Sequence, residues 1–497
     1  MTRRSGRIAS QCSKSLFTKT NAKVKKEENQ PIIKVEPLTN PIKVEPLTNP
    51  NTIPKTPSPK KRKNASSSRS SPRTPKRLSP KRSPTRSSPS PRRKSPKKFI
   101  PKSILCSSDI AKISPDNSWI DLKVPPHELR PSATLTTGQC FNWNVVHDDI
   151  RIRMMEENKD MDILTSASAS AWGTFNETEW VGPISNMILS IKETPDTTMY
   201  RILYQSPTCD VNHINMSEFL TDYFQLETAL LPLYQSWSQN DERLSQIAAV
   251  IPGLRIIRQD PVECLFSFIC SSNNNIPRIT KMLSSFRETY GEKMMDLPVR
   301  LLECDGLSLE PLELTMAIYS FPTLEELKSS TEKELREMGL GYRAKYIIET
   351  RDMLIDFGGK EYLLSLRKQS DSKAVQEELI QFSGIGRKVA DCVALFSLDQ
   401  HNAIPVDVHV QHIASRDYDP TVLDGAKSLT PTIYQKVARL FQDRFEYAGW
   451  AHSLLFVAEL KSFRDVLPAE MVADMDKWRE AENARKAALK EAKKEKA

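Results

Sequence analysis

The sequence predicts an α+β protein in which a small antiparallel sheet precedes a mostly helical core, behind a basic N-terminal extension that cannot pack. Three observations predict it. Residues 1–100 hold 27 Lys and Arg against four Glu and no Asp, with Ser and Pro throughout and almost no apolar periodicity. Short apolar and aromatic segments divided by Pro, Gly and Asp follow to about residue 225. Beyond them the apolar residues recur at helical spacing, most plainly on both sides of FSGIGRKVADC at 382–392. The expected spans are a disordered basic tail at 1–101, a sheet domain at 102–225, a helical core at 226–465 with a helix, hairpin, helix unit at about 373–396, and a charged tail at 466–497.

The tail comes first. Its local balance of +23 leaves −14 on residues 101–497 beneath an overall +9, so attraction to nucleic acid sits in the tail and any DNA groove on the folded part is a local patch. Such a composition buries too little area to offset chain entropy. IKVEPLTNP occurs at 33–41 and again at 42–50, and each IKVE matches an acceptor pattern for small-ubiquitin-like modifiers, making Lys34 and Lys43 candidates beside the simpler reading of a solvated spacer. PKKRKN at 59–64 suits the acidic groove of a nuclear import receptor. Nuclear localisation is therefore expected, and nothing supports an additional mitochondrial pool. Thr56, Ser58, Ser71, Thr74, Ser79, Ser83, Ser88, Ser90 and Ser95 precede proline, where phosphorylation would reduce the positive charge. Eight cysteines without paired spacing, no secretory signal and no run of membrane-span length point to a soluble intracellular protein.

In the sheet domain the strand candidates are 122–124, 133–135, 140–145, 150–154 and 161–164, with a helix near 216–226. Gly138 in TTGQCFNW would let a carbonyl approach a bound base with Gln139 supporting the loop, or would serve a plain hairpin turn; Phe141 and Trp143 read as core. The core opens with an apolar helix at 261–269 and SSNNN, whose asparagines can satisfy backbone groups or base edges. Tyr342 stands between a glycine and a basic residue rather than in an apolar stripe.

At the hairpin, Gly384 and Gly386 permit left-handed or close-approach geometry, and the next helix presents its first amides to one phosphate. The residues alone leave an ordinary helix-helix turn equally open. Lys388 follows the turn, and Asp407 in IPVDVHVQHIA reads as a helix N-cap. A lysine and a carboxylate at two helix starts form a candidate nucleophile and charge stabiliser. The end of the chain, from 470 to 497, is a solvent-exposed helix or a frayed tail.

TGQCFNW (137–143), DPVECLFSFICSSNNNIPRI (260–279), MGLGYRAKYI (338–347), GIGRKVADCVALFSL (384–398), PVDVHVQHIA (405–414) and YAGWAHSLLF (447–456) together resemble the helix-hairpin-helix DNA glycosylases, and more closely the eukaryotic-type 8-oxoguanine branch. The resemblance spans about 102–461. It implies a monomeric bifunctional N-glycosylase and apurinic/apyrimidinic-site lyase of base excision repair, acting on 8-oxoguanine and formamidopyrimidine opposite cytosine in double-stranded DNA. Lys388 would attack the sugar C1′ and form an imine that permits β-elimination, which requires a free amine and so a lowered pKa. Asp407 would stabilise the cationic sugar. The Gly138 carbonyl would accept the N7 hydrogen that 8-oxoguanine has and guanine lacks, and Cys392 and Phe456 would sandwich the base. Asn273, Arg278 and Arg343 would contact the orphan cytosine, Tyr342 would wedge the stack, and His409 would touch a phosphate.

The chain departs from that pattern in three places. His452 stands where the family has a glutamine on the base's Watson-Crick edge, Ser383 where proline is usual, and Glu459 where an aspartate is usual. No cofactor is implied, no metal serves catalysis, and the hairpin admits a monovalent or weakly bound cation at its phosphate. The last cysteine is Cys392, so the four-cysteine set of the iron-sulfur branch is missing. The competing readings are a hairpin DNA-binding protein without lyase activity and a related glycosylase whose base selectivity is altered by His452.

Overall fold

A run of short strands from residue 102 onward supplies the layer on which the helices rest. In the computed structural model, residues 102–114, 118–148, 178–207, 215–302, 314–424 and 428–495 are described. Lys34, Lys43, the basic run at 59–64, the Ser/Thr-Pro sites and the strand candidates at 150–154 and 161–164 lie outside them.

Among the described residues one sheet holds β1 (Lys102–Cys106), β2 (Ile120–Asp121), β3 (Asn144–His147), β4 (Thr178–Ile184), β5 (Met187–Glu193), β6 (Thr198–Gln205), β7 (Lys293–Leu302) and β8 (Leu314–Tyr319), in the order β2-β6-β5-β4-β3-β1-β7-β8. Side chains alternate between two faces. Trp180, Leu189, Ile191 and Tyr200 join one apolar cluster, while Val181, Ile188 and Leu203 join another with Leu297, Val299 and Ile318.

The sheet differs from the expectation in four ways. It is mixed, because β1 runs parallel to β3, with Leu105 opposite Val146, and antiparallel to β7. Its last two strands come from within the span read as helical; Pro298 in the middle of β7 argues against a strand by sequence, yet it pairs opposite Thr315. Residues 133–135 are helical and not a strand, since Pro131 sets the first-turn φ and every residue of the short helix is buried, which erases any alternation. Of 140–145, only Asn144 onward is extended.

The helices that build and brace the site are α1 (Pro131–Leu135), α2 (Pro261–Cys270), α3 (Ile276–Tyr290), α4 (Arg343–Asp356), α5 (Ser372–Ile380), α6 (Arg387–Ser397), α7 (Val408–Ile413), α8 (Pro431–Gln442), α9 (Ala448–Glu459) and α10 (Ala469–Glu495). Asp260 caps α2 by accepting from the Val262 and Glu263 amides at 2.9 and 3.1 Å, with Pro261 at its first position. Such caps contribute about 1 kcal/mol each. Leu265, Phe268 and Ile269 of α2 share one large core with Cys392, Val393 and Phe396 of α6. The start of α10 is docked rather than solvated: Met471 and Met475 are buried, and Trp478 lies against His412 with ring centroids 5.1 Å apart.

Candidate active site

The hairpin's two glycines do different work. Gly384 has φ +77°, and a Cβ there would lie 2.5 Å from the Tyr346 ring, so both its conformation and its neighbour require glycine. Gly386 has an ordinary φ of −97° and open space where a Cβ would go. Its bareness leaves room for something from outside. At α6 the first intrahelical bond is Ala390 N to Gly386 O at 2.9 Å, so the amides of Arg387, Lys388 and Val389 precede the ladder. Ser383, where proline was expected, is held by α4: its hydroxyl bonds Glu349, and its carbonyl accepts from Thr350 Oγ1 at 3.0 Å.

Lys388, Asp407, Gly138, Cys392, His452 and Phe456 line one cavity of about 70 Å³. Residues as far apart in sequence as Gly138 and Phe456 thus line one space. The cavity adjoins a cleft of about 960 Å³ that His409, Asn274 and Asn275 also line. Asp407 caps α7, accepting from the Val410 amide at 3.0 Å through Oδ1. Capping uses one oxygen.

Burial alone would lower the Lys388 amine, but Cys392 and Asp407 outweigh it and hold the amine above its ordinary value. That direction is opposite to the lowering expected from sequence, and the Cys392 share of it comes from a sulfur that carries charge only at high pH. Burial pushes the Cys392 thiol up to about 11, so it is uncharged at neutral pH and the lasting counter-charge of Lys388 is Asp407. Lys388 Nζ also lies 5.7 Å from the centroid of the Phe268 ring. Sequence reasoning missed Phe268 because it sits in a mostly apolar helix, where an aromatic ring reads as core.

Gly138 has φ +84°, and a Cβ there would come within 2.9 Å of Ile276. Its loop is braced by Gln139, which donates to the Thr134 and Arg255 carbonyls at 2.7 and 2.9 Å and accepts from the Ile257 amide at 3.0 Å. Phe141 is core against Phe268, and Trp143 Nε1 donates to Tyr223 Oη at 3.2 Å. His452 is 4% exposed, and neither ring nitrogen has a hydrogen-bond partner among the described residues. Burial pushes its pKa down to about 4, against the charge of Asp407 and a weak interaction with the Gly449 backbone, so the ring is neutral. Ser453 beside it is committed to the Gly449 carbonyl at 2.7 Å.

The asparagine run divides its labour. Asn274 Nδ2 donates to Cys270 O at 2.9 Å and Asn275 caps α3 through the Arg278 amide at 3.1 Å, while Asn273 is exposed in a left-handed conformation, φ +47°. Arg278 is exposed on α3. Tyr342 is 45% exposed and bonds Ser272 O at 3.0 Å. Arg343 is the other residue expected to contact the orphan cytosine. It is 2% exposed and its guanidinium donates to the Ser272 and Asn273 carbonyls, so in this state it braces the backbone beneath Asn273. Glu459 is buried in an ion pair with Arg416 at 2.6 Å. His409 is exposed, its ring 5.7 Å from that of Phe456 and perpendicular to it.

The family model for the N-terminal domain of 8-oxoguanine DNA glycosylase matches residues 121–265, and that for HhH-GPD superfamily base excision DNA repair proteins matches 266–429. The N-glycosylase/DNA lyase of Arabidopsis thaliana is 36% identical over 354 residues, which cover 70% of this chain and 82% of that protein. The chain belongs to the 8-oxoguanine DNA glycosylase family. A Saccharomyces cerevisiae N-glycosylase/DNA lyase is 37% identical over 273 residues, covering 50% of this chain and 68% of that one. The 8-oxoguanine glycosylase/lyase of Clostridium acetobutylicum, solved with duplex DNA carrying cytosine opposite 8-oxoguanine, is 26% identical with a TM-score of 0.48, covering 67% of this chain and 92% of that one. Membership in the 8-oxoguanine DNA glycosylase family makes the chain a base-excision-repair enzyme of the N-glycosylase/lyase class.

Proposed function

We propose that the protein removes 8-oxoguanine, and formamidopyrimidine, opposite cytosine from duplex DNA and then cuts the strand by β-elimination through an imine on Lys388. The observation that carries the reading is the single cavity that gathers an amine, a carboxylate, a left-handed glycine, a thiol and an aromatic ring from four separate stretches of chain. Lys388 loses its proton before attacking C1′; the base leaves, and the imine then acidifies C2′ so that the 3′ phosphate departs. Asp407 holds negative charge where the sugar turns cationic. The exposed Asn273, Arg278 and Tyr342 form the face for the orphan cytosine and the gap in the stack, with Arg343 behind them. The amides that open α6 and the bare Gly386 suit a backbone phosphate. The basic run at 59–64 would direct the enzyme to the nucleus, a reading tested by mutating that run and following a fluorescent fusion.

His452 favours a second reading of the base edge. A neutral ring offers one donor and one acceptor in place of the amide's larger set. Selectivity for the guanine-type edge would then be looser than with an amide.

The test is a panel of duplexes carrying 8-oxoguanine, formamidopyrimidine, uracil, 3-methyladenine or guanine opposite cytosine or adenine, with borohydride trapping in parallel. Fastest loss of 8-oxoguanine opposite cytosine with a trapped adduct is expected; Lys388→Gln should bind the lesion duplex and neither excise nor trap. Removal of 8-oxoguanine no faster than guanine defeats the substrate assignment, and normal excision by the Gln variant defeats the nucleophile. Retained binding without any trapped adduct in the native enzyme would leave a DNA-binding protein without lyase activity.

A further inference from the structure

Asp391 lies three residues beyond Lys388 on α6 and is 5% exposed, yet the chemistry above leaves it unused. One of its oxygens accepts from Gln376 Nε2 on α5 at 2.6 Å, and the other accepts from the hydroxyl of Tyr434 on α8, also 5% exposed. The same phenol oxygen accepts from the Val406 amide at 3.1 Å and stands 3.0 Å from the Ile404 carbonyl. Val406 immediately precedes Asp407. A single phenol therefore ties the helix of Lys388 to the loop that delivers its counter-charge.

That phenol has one hydrogen and two acceptors in reach. While Asp391 is ionised, the hydrogen goes to the carboxylate and the loop is held only through the Val406 amide. Once Asp391 takes a proton, the carboxyl donates to the phenol oxygen and the phenol's own hydrogen passes to Ile404. The loop is then held at two points.

We propose that Asp391 and Tyr434 are positioning residues which set Asp407 against Lys388, and that the proton they share decides how firmly the Asp407 loop is held. The inference rests on Lys388 and Asp407 as the catalytic pair. Burial pushes the Asp391 carboxyl up to about 7, against the hydrogen bonds from Tyr434 and Gln376 and the charge of Arg387, which pull it down. The other titratable groups facing it keep their protons: burial raises the Cys392 thiol, and burial together with Asp391 raises the Tyr434 hydroxyl.

Two variants of the full-length enzyme test this. Asp391→Asn accepts from Gln376 through its oxygen and donates to Tyr434 through its nitrogen, the pattern of the protonated acid; Tyr434→Phe cuts the link. Single-turnover excision from an 8-oxoguanine–cytosine duplex would be followed from about pH 5.5 to 9, with duplex affinity measured separately. The native rate should climb and then flatten above about pH 7, whereas the Asn variant keeps climbing and is roughly 100-fold faster than native at pH 9. The Phe variant should be roughly 10- to 100-fold slower with its affinity for the duplex unchanged. A purely structural role would lower stability without removing the flattening. Flattening of the Asn variant at the native pH, or a folded Phe variant at the native rate, overturns the inference while leaving the catalytic pair intact. No excision by the native enzyme at any pH overturns both.

Discussion

At the scale of single residues, the pair Lys388 and Asp407 sets the sharpest expectations. Asparagine caps a helix as well as aspartate, so Asp407→Asn should keep α7 and remove only the charge. Excision should fall by about 10²- to 10³-fold with lesion binding retained, as single-turnover kinetics would show. Because the amine is held above its ordinary value, the native rate below pH 7 should rise close to tenfold per unit as free amine appears. Loss of the Asp407 charge lets the amine titrate lower, shifting that rise to lower pH. His452 carries the opposite sign. Its folded pKa of about 4 lies below the ordinary histidine value, so the unfolded chain binds the extra proton and stability is lost as pH falls from about 6.5 towards 4. His452→Gln should lack that loss, worth about 1–3 kcal/mol, in urea melts compared at pH 7 and 4.5. Lysine, aspartate and the departure at His452 were legible as residues in the separate strings at 384–398, 405–414 and 447–456. The direction of the Lys388 shift was not, because it depends on a thiol one turn away and a carboxylate brought in by the fold.

At the scale of the element, the hairpin separates folding from binding. Gly384→Ala must take a positive φ and displace Tyr346, costing at least about 1 kcal/mol in thermal stability. Gly386→Ala meets nothing in the resting protein and should leave the melting temperature unchanged while weakening duplex binding several-fold. Equal melting losses in the two would contradict this division. Helices α5 and α6 were readable because apolar spacing and glycine punctuation agree there. The strands β7 and β8 were not, since Pro298 masks one and their partners are the distant β1 and one another. Arg343 shows the same limit from another side: sequence marks a basic residue beside Tyr342, and only packing turns it inward onto the Ser272 and Asn273 carbonyls.

At the scale of the whole molecule, charge is segregated along the chain. Residues 1–100 carry a balance of +23, and the remainder carries −14. Removing the first hundred residues should weaken binding to undamaged duplex and flatten its dependence on salt between about 50 and 200 mM, while single-turnover excision from a saturated lesion duplex stays unchanged. An unaltered salt slope would place the DNA attraction on the folded part instead. The way β1 is sandwiched between β3 and β7 has a temporal consequence. During translation, residues 102–106 leave the ribosome long before 300–302, so the sheet cannot be finished until the stretch between them has been made. Halves of this enzyme severed at 265/266, inside α2, should therefore be insoluble apart and regain a partner strand only when co-expressed.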